Sequence, residues 1–189
     1  MSAAPLQLAV IVASTREGRF GPTVAQWLAG RASTHGDLTI DLIDLAAHPV
    51  STVLGTTPDP AMADLTARLA AADAFVVVTP EYNHSYPAAL KAVIDWHYDQ
   101  WQAKPVGFVS YGGLSGGTRA VEHLRPVFAE VHATTVRHTV SFHNCWDKFD
   151  ADGAALDPMA DAAAKTMLDQ LSWWGHALRT ARETTPYTR

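Results

Sequence analysis

The chain has 189 residues, 48% hydrophobic and 17% charged, with a net charge of −5 and one cysteine. That length and composition suit one globular domain, residues 1–189, around a single substantial core. The acidic balance argues against a nucleic-acid binder, which presents a basic face; a lone Cys145 cannot close an internal disulfide and is expected in the packed interior.

Residues 1–5 carry no cationic lead or apolar signal core, and no stretch reaches transmembrane length, so a soluble cytoplasmic protein without membrane contact is expected. The first strand falls at residues 6–13 (LQLAVIVA), and a helix follows at about 22–32. Residues 38–45 (LTIDLIDL) alternate apolar and polar side chains, as a half-buried or edge strand does. Residues 46–60 read as a loop, 61–72 as an alanine-rich helix and 74–79 as a strand. The next helix starts near Pro87, proline being favoured in a first turn; its Leu90, Val93, Ile94, His97 and Trp101 share a face. Trp96 lies off that face, where it meets either a partner subunit or a neighbouring loop.

A fourth strand at 105–111 (PVGFVSY) precedes a helix at 118–131, where Pro126 removes a backbone donor and is expected to introduce a kink. The fifth strand spans 134–142. The last helix spans 157–182, with Met167, Leu171, Trp174 and Leu178 as its core-facing stripe. The nine histidines lack metal-ligand spacing, so no metal site is expected; His97, His123 and His132 read as packed or solvated. Five strand–helix units in strict alternation give an α/β domain, a parallel sheet with helices on both faces. Ligands of such sheets bind beyond the carboxyl ends of the strands, which points to the loops after strands one, three and four.

The first loop places Ser14, Arg16, Arg19, Gly21 and Thr23 ahead of a helix N-terminus, a setting for a phosphate; a solvated charged loop is the plainer reading. It has neither the G-x-G-x-x-G of dinucleotide folds nor a P-loop motif. The second runs Pro80-Glu81-Tyr82-Asn83-His84-Ser85, offering a flat face and an amide to a planar heteroaromatic ring, or simply a capping turn with Ser85 as the cap. The third, Ser110-Tyr111-Gly112-Gly113-Leu114-Ser115-Gly116-Gly117, holds four glycines, which are costly to order. They allow either close backbone approach to a ligand or a sharp turn. Phosphate at the first loop and a planar ring between the other two describe flavin mononucleotide (FMN).

These motifs resemble the NAD(P)H-dependent FMN reductase-like flavoproteins, which include quinone, azo and chromate reductases. The resemblance rests on Ser14-x-Arg16, on Pro80-Glu81-Tyr82-Asn83 with Pro87-x-x-Leu90-Lys91-x-x-x-Asp95-Trp96, and on Ser110-Tyr111-Gly112-Gly113-x-x-Gly116-Gly117-x-Arg119-Ala120. It implies a flavodoxin-like three-layer sandwich with strand order 2-1-3-4-5. It implies FMN phosphate at Ser14, Arg16 and the start of the first helix, with the ring against Pro80 to Asn83 and Gly112 to Gly117. Many members carry Gly-Ser and Ser-Phe-Asn in the first loop; here Thr23 stands in for a missing hydroxyl and Arg19 adds a second cation. Tyr82, His84 and Tyr111 are candidates to line the exposed flavin face, where NADPH or NADH and a small acceptor would take turns. The resemblance also implies a homodimer or a dimer of dimers. Three alternatives stay open: a flavin reductase supplying a partner monooxygenase, a flavodoxin-like shuttle, and a redox sensor.

Overall fold

The computed structural model describes residues 4–55 and 59–188. Residues 1–3 of the N-terminal lead and 56–58 of the expected 46–60 loop lie outside the described residues. The elements run β1 (Leu6–Val12), α1 (Gly21–Ser33), β2 (Leu38–Asp44), α2 (Ala63–Ala71), β3 (Ala74–Pro80), α3 (Ala88–Trp96), α4 (Tyr98–Trp101), β4 (Pro105–Gly112), α5 (Thr118–Glu130), β5 (Thr134–Thr135), β6 (Val140–His143) and α6 (Pro158–Thr184). One-turn 3₁₀ helices, Pro60–Met62 and Cys145–Asp147, precede α2 and follow β6.

The sheet is parallel, in the order β2-β1-β3-β4-β5, with β6 also pairing β4. This is the flavodoxin-like arrangement. Successive strand side chains point to opposite faces. Leu8, Val10 and Val12 of β1 therefore pack with Val76 and Val78 of β3 against α1 and α6. Ala9, Ile11, Phe75 and Val77 face the layer of α2, α3 and α5. Burial on both faces is why these strands read as unbroken apolar runs, while the alternating β2 is the sheet edge.

Three expectations need correction. The fifth strand is broken: β5 pairs Pro105 and Val106, and β6 pairs Val109 to Gly112. Between them the Arg125 guanidinium donates to the carbonyls of Val136 and Arg137, and the His138 N–H turns to Gln170 Oε1. Those backbone groups are lost to the ladder. In α6 Met167 and Leu171 are buried as expected, but the buried arc continues through Ala164, Leu168 and Gly175, leaving Trp174 40% exposed beside Trp173 and Leu178 half-buried. Gly175 takes the core position because a Cβ there would lie 2.5 Å from Leu6 Cδ1. The helix after Pro87 ends at His97, whose backbone leaves helical geometry before α4; Leu90, Val93, Ile94, His97 and Trp101 are nevertheless all buried. Trp96 is half-buried and donates its indole N–H to the Ser51 carbonyl at 2.8 Å, covering the neighbouring loop. Pro126 does lie inside α5, and Cys145 is 2% exposed.

Candidate functional site

Parallel pairing brings the carboxyl ends of β1, β3 and β4 to one edge: Val12 lies beside Val78, and Pro80 beside Tyr111. The Ala13 N–H extends that alignment to the Val78 carbonyl at 3.0 Å. The three loops picked out above therefore leave the sheet side by side.

In the first loop Ser14 is fully buried, and its hydroxyl meets the Tyr82 hydroxyl at 2.5 Å. That contact joins the loop after β1 to the loop after β3. Helix α1 then starts at Gly21 with Phe20 as N-cap, without a side-chain cap and with no acidic residue in the first turn. A helix start leaves its first N–H groups without intrahelical partners and concentrates positive potential there. The N–H groups of Gly21 and Thr23 have no acceptor among the described residues. Directly beneath, Tyr111 is 4% exposed, and its hydroxyl makes no hydrogen bond of ordinary geometry among the described residues, although the Ser14 hydroxyl lies close enough to act on it. A Cβ on Gly21 would sit 2.8 Å from that hydroxyl oxygen, so only glycine allows α1 to start this close to it. Burial pushes the Tyr111 phenol above its ordinary pKa, which keeps it a neutral donor. Arg16 is exposed and makes no ion pair among the described residues. Arg19 is committed to Asp44 at the end of β2 through one Nη, and its buried Nε has no partner among the described residues.

The second loop is a tight hairpin. Tyr82 and Ser85 exchange both backbone hydrogen bonds, at 2.8 and 3.0 Å. Asn83 and His84 at its tip have φ of 47° and 75°, the positive values that a type I′ turn requires at both central positions. Ser85 closes this hairpin and contacts His123 Nδ1 at 3.0 Å, while Pro87 occupies the N-cap of α3; Ser85 is not the cap. Glu81 turns back, accepting from Arg119 Nη1 at 2.8 Å and from the Arg119 N–H at 3.2 Å. Burial alone would raise the Glu81 pKa, but hydrogen bonds from Ser115 and Arg119 outweigh it and hold the carboxyl below the ordinary range. Its carboxylate thus fastens the second loop to the third.

The third loop turns sharply over the ends of β4 and β6. Gly116 and Gly117 have φ of 59° and 85°. Ser110 and Ser141 both donate to the Gly116 carbonyl at 2.8 Å, and His143 Nδ1 meets the Leu114 carbonyl at 2.8 Å. The N–H groups of Gly113, Leu114, Ser115 and Gly117 have no backbone acceptor among the described residues.

The structure thus gathers Ser14, Gly21, Tyr82 and Tyr111 into one cluster, with Arg16 in the loop that leads into it. Pro80 and Gly112 to Gly117 lie alongside. Three candidates sit differently from expectation. Tyr111 forms the buried floor under α1 rather than an exposed face. Arg19 serves Asp44. Thr23 lines a groove of about 840 Å³ with Phe20, Trp27, Trp146 and Phe149, outside the cluster. Sequence reasoning passed over Ser141, His143 and Asp44, and also Trp146, whose ring edge lies 3.9 Å from a Cβ built on Gly113. Asp44, Ser141 and His143 come from sheet neighbours and Trp146 from the 3₁₀ turn after β6, and no local pattern marks them.

The arrangement is a set of uncommitted donors: an open helix start, a poorly satisfied buried hydroxyl, a free arginine, and a glycine loop presenting N–H groups. Such a set suits a phosphate next to a ring with acceptor edges. The sequence profile of the NADPH-dependent FMN reductase family matches residues 6–147. The chain belongs to that family. It is similar to the FMN-dependent NADPH-azoreductase of Staphylococcus haemolyticus, at 31% identity over 86% of this chain and 91% of that protein. It is 36% identical to an NAD(P)H-dependent FMN reductase of Schizosaccharomyces pombe over 59% of this chain; the match spans 60% of the yeast protein. In fold it resembles FerB, a flavoenzyme NAD(P)H:(acceptor) oxidoreductase of Paracoccus denitrificans. The TM-score is 0.74 at 23% identity, covering 91% of this chain and 98% of FerB. Among the described residues no group of His, Cys, Asp and Glu could hold a metal ion, and no helix is long and apolar enough to cross a membrane.

Proposed function

We propose that this protein is an NAD(P)H-dependent, FMN-containing oxidoreductase that reduces a quinone, an azo or nitro compound, or a similar small acceptor. The uncapped start of α1 above the poorly satisfied Tyr111 hydroxyl carries this reading: buried polar groups are rarely left short of partners, and an anion would satisfy both. The N–H groups of Gly21 and Thr23, the Tyr111 hydroxyl and Arg16 would hold the FMN phosphate. The Ser14–Tyr82 contact fixes the floor between phosphate and ring. The N–H groups of Gly113 to Ser115 and of Gly117, which have no backbone acceptor among the described residues, would be available to the polar edge of the ring, where preorganised donors favour developing negative charge. Such a cofactor supplies two-electron transfer from NAD(P)H to an acceptor, without need of a protein nucleophile.

His84 and Asn83, exposed at the hairpin tip, would stand where nicotinamide and acceptor enter in turn. Relatives named as azo and quinone reductases favour an enzyme over a shuttle or sensor. We place the protein in the cytoplasm as a homodimer, which light scattering of the purified protein tests; a monomer at working concentration refutes the dimer. The activity is tested by loading the protein with FMN and adding NADPH or NADH without oxygen. Bleaching of the bound flavin's visible band, reversed by a quinone, is expected. A flavin that stays oxidised with both nucleotides refutes the enzyme.

A further inference from the structure

The third loop is held by its carbonyls. His143 Nδ1 lies 2.8 Å from the Leu114 carbonyl, which can only accept, so Nδ1 carries the hydrogen and donates. Ser110 and Ser141, from β4 and β6, converge on the Gly116 carbonyl at 2.8 Å each. The chain has no cis peptide among the described residues. In a trans peptide the C=O and the following N–H point in opposite directions. Drawing the Leu114 and Gly116 oxygens down onto the strand ends therefore turns the N–H groups of Ser115 and Gly117 away from the sheet. Neither has a backbone acceptor among the described residues. The fit is close: a Cβ on Gly116 would lie 2.5 Å from Ser141 Oγ and 2.6 Å from His143 Cδ2.

We infer that His143, assisted by Ser141, is a positioning residue: it fixes the 113–117 loop so that its N–H groups are presented to the polar edge of the flavin ring. This rests on the FMN reading above. His143 acts through the Leu114 carbonyl and does not itself touch the cofactor. Because those N–H groups interact most strongly with the charge of the reduced flavin, their misalignment weakens the reduced form's binding more than the oxidised form's.

Four proteins test this: the parent, His143→Phe, His143→Asn and Ser141→Ala. His143→Phe keeps ring bulk without the donor, whereas His143→Asn places an amide N–H near the position of Nδ1. FMN dissociation constants come from flavin fluorescence, and two-electron potentials from anaerobic equilibration with a reference dye. His143→Phe is expected to weaken FMN binding roughly three- to tenfold, the worth of one hydrogen bond, and to lower the bound flavin's potential. A tenfold greater loss for the reduced form corresponds to about 30 mV. Ser141→Ala shifts both in the same direction, and His143→Asn restores both to near parent values. If His143→Phe does not fold, His143→Gln, whose amide reaches the Nε2 position instead, takes its place. Parent-like affinity and potential in the donor-lacking variant overturn the inference, as does a His143→Asn that matches it. A parent that binds FMN while the variants are unaltered refutes only this inference; a parent that binds no FMN refutes the functional reading with it.

Discussion

Replacing Gly117 by alanine puts the third loop's geometry to a quantitative test. The Gly117 φ of +85° is left-handed backbone, and the Cβ of an alanine would lie 2.7 Å from Ser110 Cβ and 3.0 Å from the Tyr111 nitrogen. A side chain in left-handed backbone costs about 1–2 kcal/mol, and overpacking a filled site typically adds about 1–3 kcal/mol. Two of the opposing contacts are to the Tyr111 backbone, so no rotamer change relieves them. Gly117→Ala should therefore lose roughly 2–5 kcal/mol of stability. The matched control is Gly30→Ala, within α1, where a Cβ meets nothing within 4 Å. There alanine gains about 0.5–1 kcal/mol, because glycine loses more freedom in a helix interior. Urea unfolding followed by circular dichroism reads both, as midpoint shifts of opposite sign at constant slope. Gly117→Ala as stable as Gly30→Ala would mean the loop does not rest on Ser110 and Tyr111 as described.

Other expectations follow from the same geometry. Arg16→Ala removes a cation with no internal partner, so stability should hardly change while FMN binding weakens by about 1.5–3 kcal/mol, as titration would show. His97 is 2% exposed, with Nδ1 on the Val93 carbonyl and Nε2 on Thr66, and burial lowers its pKa below 6.5. Its neutral form belongs to the fold, so the parent should lose stability as pH falls from 6.5 toward that lower value. A His97→Leu variant should lack this component in pH-dependent denaturation. Lys104 donates to the Leu69 and Ala70 carbonyls at the end of α2, and burial pushes its pKa down to about 8 from 10.5. The cost of the buried charge is present below pH 8 and is relieved as pH rises toward 10.5. Relative to Lys104→Met, the parent should thus gain stability across that window, by up to about 3 kcal/mol.

The fold was legible wherever burial left a local trace. Doubly buried strands gave continuous apolar runs, the edge strand alternated, and turn-forming residues marked the three loops at the sheet's carboxyl edge. What local pattern could not carry were claims made by distant side chains. The break between β5 and β6 depends on Arg125 taking carbonyls that a periodic apolar segment would otherwise lend to the sheet. Arg19 looks like a phosphate ligand until Asp44, brought alongside by the pairing of β1 and β2, takes its charge. Tyr111 reads as a surface aromatic because it precedes a glycine loop, yet its strand direction turns it under α1, where only Gly21 leaves room. Trp174 fits an apolar stripe on a helical wheel, but the arc facing the sheet is set by Gly175 closing on Leu6. The glycines announced the third loop; the Ser110, Ser141 and His143 contacts that orient it come from two strands joined only in the folded sheet.

The most direct test of the site is the affinity for FMN against that for riboflavin, measured on the same protein by flavin fluorescence quenching. The two ligands share the ring and differ by the phosphate. If the open start of α1, Tyr111 and Arg16 receive that phosphate, FMN should bind at least about 100-fold more tightly, the worth of two charge-assisted hydrogen bonds. Equal affinities would contradict the placement of the phosphate and, with it, the orientation of the flavin across the three loops.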